Sequence, residues 1–126
     1  MRGFFQNIPT TPAKFLQVLL CCYNKGMKYN KLVRDKIPEY IKNKGGVPIV
    51  RVASETEYWE KLKEKLAEEV EEFRRDETPE ELADLLEVIE AIAEYKSFDK
   101  SIIEEIRAKK AQERGKFKDR IILLES

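Results

Sequence analysis

The residues with the most chemical promise are four acids in two pairs, Glu69 with Glu72 and Glu81 with Asp84, the members of each pair three positions apart. On a helix that spacing sends both members from one side. Eight residues separate Glu72 from Glu81, so two helices joined by a tight turn would turn the pairs toward each other. Four carboxylates gathered near an apolar border repel one another unless a cation neutralises them. The chain has no histidine, and its two cysteines, Cys21 and Cys22, are adjacent, so imidazole and zinc–thiolate chemistry are both ruled out as competitors. Hard oxygen donors select magnesium, with manganese as a substitute, and magnesium completes its shell with water and substrate phosphate oxygens. The implied chemistry is hydrolytic phosphoryl transfer on a polyphosphate, in which the metal polarises an oxygen, activates water and orients the leaving group. Cations should then meet the phosphate charge. Lys31, Arg34 and Lys36 precede the first helix, and Lys109, Lys110 and Arg114 stand at the end of the last.

The elements that must position these groups are helical. From Tyr29 to Lys44 the pattern predicts a short lead-in and a helix that tolerates Pro38 in its first turn, ended by Gly45 and Gly46. Val47 to Val52 is β-branched, but Pro48 limits it to an extended connector or a minor edge strand. Ser54 with Glu57 is a capping-box signature, after which Trp59, Leu62, Leu66, Val70 and Phe73 form one apolar stripe. Glu69 and Glu72 lie about 60° and 120° from the centre of that stripe, on one flank. Thr78 and Pro79 start a second long helix with Leu82, Leu85, Leu86, Ile89 and Ala93 on one face, while Glu81, Asp84, Val88 and Ile92 share a flank. A third begins near Asp99 and is expected to bury Ile102, Ile103 and Ile106 before Gly115, with Lys110 on the same core-facing side. The tail from Phe117 to Leu124 is expected to pack back. Short links between such helices predict an all-α antiparallel bundle, completed by a homodimer because the apolar stripes exceed what one thin monomer covers.

Each acid also has a plain structural reading. Glu64, Glu68 and Glu71 read as a solvated face, Glu81 serves equally well as the third residue of a cap begun by Thr78, and Lys109 and Lys110 complement a helix C-terminus without any ligand. Lys plus Arg and Asp plus Glu both number 24, so no basic footprint points to nucleic acid. Charged residues make up 38% of the chain, dominated by Lys and Glu, a balance more frequent among hyperthermophile proteins. In the apolar run Phe15 to Tyr23, Gln17 intervenes, no small-residue cleavage site follows and Leu20 precedes Cys21, which disfavours a signal peptide, a lipoprotein anchor and a membrane span. Residues 1–26 are expected to be an extension outside the fold, and residues 27–126 the functional domain of a cytoplasmic protein with reduced thiols.

The acidic spacing resembles that of the MazG-like all-α nucleotide pyrophosphatase superfamily, whose pattern E-x-x-E followed by E-x-x-D stands here within KLAEEVEEF and EELADLLEV. The chain looks like the small phosphoribosyl-ATP pyrophosphohydrolase-like branch, with its opening block in YNKLVRDKIPEYI and its closing block in KKAQERGKFKDRIILL. The resemblance implies a magnesium enzyme that splits the α,β bond of nucleoside triphosphates into a monophosphate and pyrophosphate. Carried over, Glu69, Glu72 and Asp84 become metal ligands, Glu81 a ligand or the group that orients the attacking water, and Lys110 and Arg114 phosphate contacts. The short interval between the pairs departs from many MazG proteins and bears on the number of metals and on which acid is the base. House-cleaning of aberrant nucleotides is the leading role. Phosphoribosyl-ATP hydrolysis in histidine synthesis shares its chemistry, and a noncatalytic helical dimerisation or regulatory module is the rival of another class.

Overall fold

A computed structural model describes residues 29–126. The expectations for the run Phe15 to Tyr23, the two cysteines and the boundary at Met27 lie outside the described residues. Four helices make up the regular structure among the described residues: α1 (Ile37–Asn43), α2 (Glu55–Asp76), α3 (Pro79–Tyr95) and α4 (Lys100–Arg114). The chain divides into two compact units, Met1–Ile92 and Ala93–Ser126.

The helix ends follow local chemistry. Pro38 stands in the first turn of α1, where its missing N–H leaves no bond unmade, and Gly45, at φ +86°, adopts the left-handed turn that closes the helix. Gly46 N–H then donates to Ile41 O at 2.9 Å, which satisfies a terminal carbonyl. Ser54 caps α2 by accepting from Glu57 N–H at 3.3 Å. The Glu57 carboxylate meanwhile receives both arms of the Arg51 guanidinium, one at 2.9 Å, so it is engaged outside the cap as well. Glu77 takes a left-handed conformation at φ 49° and returns its N–H to Phe73 O, ending α2 two residues before Pro79 opens α3. Asp99 caps α4 by accepting from Ser101 N–H at 2.8 Å, and Gly115 terminates it.

The first unit is built on the hairpin of α2 and α3. In one continuous helix, Glu69 and Asp84 would sit about 22 Å apart along the axis. Their carboxylate oxygens instead lie within 4.8 Å of each other and of one from Glu81, so the chain reverses at Glu77 and Thr78. Among the described residues of this unit, Ile41, Leu62 and Val88 are the buried hydrophobes.

Val47 to Val52 is the extended connector of its two alternatives, with no paired strand among the described residues, and Val47, Ile49, Val50 and Val52 are all exposed. Other packing expectations are corrected. On α3 the inward flank is the one with Glu81, Asp84 and Val88, whereas Leu82, Leu86 and Ile89 are exposed. In the second unit α4 buries none of its residues: Ile102, Ile103, Ile106 and Lys110, expected on a core-facing side, are all exposed. Phe117 and Ile121 to Leu124, expected to pack, are likewise exposed.

Candidate metal centre

Three acids converge where α2 and α3 meet. Glu69, Glu81 and Asp84 each offer a carboxylate oxygen, and the three oxygens lie within 4.8 Å of one another. Glu69 is 2% exposed and Glu81 has no exposed surface, while Asp84 is half-buried at the rim. The local sequence accounts for this placement. The turn after Asp76 aims the first turn of α3 at the third-last turn of α2, and Thr78 Oγ1 accepts from Glu81 N–H at 3.3 Å, setting the helix start. Thr78 thus caps the backbone of Glu81, and the Glu81 side chain goes inward to the other acids. The structural and functional readings of this residue are therefore compatible, one concerning its N–H and the other its carboxylate. Glu72 is also buried on α2, at 7% exposure, but stands outside the group of three.

Cations from two directions meet these acids. Lys65 Nζ lies 2.9 Å from Glu69, one helical turn away, and 3.3 Å from Glu68. From the segment before α1, Lys31 Nζ reaches the same Glu68 oxygen at 3.2 Å, and Arg34 donates to Asp84 Oδ1 at 2.7 Å. Residues 31–34 are therefore fastened to α2 by one charge and to α3 by another. Like charges this close and this sheltered from water would be costly alone, and positive groups at their edge lower that cost.

The remaining sequence candidates are exposed cations. Lys36 occupies the position before α1 and is exposed, with its side chain making no cap bond. Lys109, Lys110 and Arg114 stand on α4 in the second unit, all exposed, and Lys109 lies 3.8 Å from Glu113. Two participants were missed. Glu68, expected to be solvated like Glu64 and Glu71, is only 28% exposed at its side chain and bridges Lys31 and Lys65. Lys65 was signalled by its four-residue interval from Glu69, a standard helical ion-pair spacing. The Glu68 link to Lys31 spans 37 positions and has no local signature.

The donor set suits a hard divalent cation: carboxylate oxygens only, close enough to share one ion, with two of the three side chains immobilised by burial. No family model and no solved structure matches this chain. Over 48 residues, 38% of its length, it is 50% identical to an uncharacterized protein of Mycolicibacterium smegmatis, and it spans about half, 49%, of that protein. That likeness carries no activity with it. No helix among the described residues is long and apolar enough to cross a membrane.

Proposed function

We propose that this chain is a magnesium-dependent nucleoside triphosphate pyrophosphohydrolase of MazG-like type, releasing a nucleoside monophosphate and pyrophosphate. Its role is house-cleaning in the cytoplasm, and manganese can replace magnesium. The observation that carries this reading is the convergence of Glu69, Glu81 and Asp84 at a sheltered junction of two helices. The ordered blocks around these acids, quoted above, agree with it.

In this reading Glu69, Glu81 and Asp84 hold the ion, with Glu72 buried on the same helix as a further acid of the site. When bound, magnesium polarises a phosphoryl oxygen and lowers the pKa of a coordinated water. The protein's own contribution is preorganisation. Burial of Glu69 and Glu81 restricts their rotamers, so the ligand oxygens need little reordering when charge arrives. Lys65 screens Glu69 from its neighbours, and Arg34 presents a planar cation at the rim, where substrate phosphates would approach. The exposed stripe of Leu82, Leu86 and Ile89 lies away from the acids and is the face against which a second copy would complete the bundle.

The test is a panel of nucleoside triphosphates, modified bases and phosphoribosyl-ATP included, incubated with magnesium or manganese and read by the nucleotide and phosphate products. Equimolar monophosphate and pyrophosphate from at least one substrate is the expected result. Background rates throughout with both ions would refute the enzyme and leave a noncatalytic helical module.

A further inference from the structure

The contact between Arg34 and Asp84 sits where two kinds of cation want the same carboxylate. Arg34 donates to Asp84 Oδ1 at 2.7 Å, and Asp84 is one of the three acids whose oxygens converge. A divalent ion that takes Asp84 as a ligand must share it with a guanidinium or displace it, and positive charges in contact oppose each other. The two partners differ in freedom. The Arg34 side chain is 56% exposed and belongs to the irregular segment before α1, whereas Asp84 is 22% exposed on a regular helix. The arginine is therefore the partner that can leave. Lys31 keeps its own hold on Glu68, which is not one of the three converging acids, so the segment stays anchored when Arg34 moves. A guanidinium freed beside a metal-bound polyphosphate has a better acceptor at hand, because its fork of donors matches phosphate oxygens.

On the reading of this junction as a metal centre, we propose that Arg34 is an exchangeable counter-ion: it neutralises Asp84 in the free protein, gives way to the divalent ion, and is received by a substrate phosphate. Metal and phosphate ligand then bind with positive coupling. Metal alone must break the ion pair without compensation, and the phosphate supplies the partner that the displaced arginine lacks. By linkage, each ligand raises the affinity for the other by the same factor.

The experiment measures manganese binding to the full chain by electron paramagnetic resonance, and inorganic pyrophosphate binding at saturating manganese by calorimetry. Wild type is compared with Arg34→Gln, Arg34→Lys and the charge control Lys42→Gln, an exposed cation on α1. Arg34→Gln is expected to bind manganese alone about two- to fivefold more tightly, the worth of one exposed ion pair, and pyrophosphate more weakly. Arg34→Lys should fall between it and wild type, and Lys42→Gln should not tighten manganese binding. If wild type binds manganese and Arg34→Gln binds it equally or less tightly, the exchange is overturned while the metal centre stands. Equal tightening by Lys42→Gln also overturns it, since the effect would then be net charge. If wild type binds no manganese, the metal centre itself falls, and the exchange with it.

Discussion

Glu81 has no exposed surface, and Leu82, the next residue, is 46% exposed. Successive helical side chains point about 100° apart, and here the two fall on opposite sides of the boundary between interior and solvent. The chain turned the leucine out and kept the acid in. Leu86 and Ile89 follow Leu82 at helical intervals and are exposed with it. This inversion links the two halves of the functional proposal, an acid-lined interior within one chain and an apolar exterior for a second.

Neutralising the interior should separate stability from activity. Glu81→Gln removes one of three neighbouring negative charges with little change of shape, and in chelator it is expected to raise stability by on the order of 0.5–2 kcal/mol. Asp84→Asn and Glu81→Gln should each lower turnover on the order of a hundredfold or more, with the helical circular dichroism retained. Magnesium should raise the melting temperature of wild type, by linkage, more than that of either variant. Wild-type turnover in Asp84→Asn would remove that residue from the site.

Charging the apolar exterior should dissociate the proposed dimer. Leu86 is 59% exposed, and covering what remains is worth on the order of 1–2 kcal/mol per protomer on the usual scale for a leucine. A two-fold interface feels the substitution twice, so Leu86→Asp should weaken dimerisation by a factor of roughly 30 to 1000. Sedimentation velocity across a concentration series reads this directly. An unchanged sedimentation coefficient would move the interface elsewhere.

Acid should loosen the lead-in to α2 through one ion pair. The hydrogen bond from Arg51 holds the Glu57 carboxyl below its ordinary value, even though burial alone would push it up. A folded value lower than the unfolded one means that the stabilisation is complete above about pH 4.3, the ordinary glutamate value, and is lost as pH falls through the lower, folded value. Arg51→Gln should therefore flatten the dependence of the urea midpoint on pH in that acid window and change little above it. High salt should mimic the substitution, because the pair is exposed and screened. Superimposable acid limbs for variant and wild type would rule the pair out as a contributor.

Local chemistry was legible in the residues themselves. Ser54, Pro79, Asp99 and Gly115 mark helix ends because capping and backbone preference act within a few positions, and the three-residue spacing of the acids put each pair on one helical side. Which side faced inward was a different kind of question. On α3 the stripe of Leu82, Leu86 and Ile89 is wholly apolar and the flank of Glu81, Asp84 and Val88 is apolar only at Val88, so periodicity favours the face that the fold leaves exposed. The turn at Glu77 and Thr78 ranked them the other way by setting the rotation of α3 against α2. Contacts across 37 and 50 positions, Lys31 with Glu68 and Arg34 with Asp84, were likewise decided by the folded arrangement, because charge pairing at that range depends on distance in space and leaves no periodic trace along the chain.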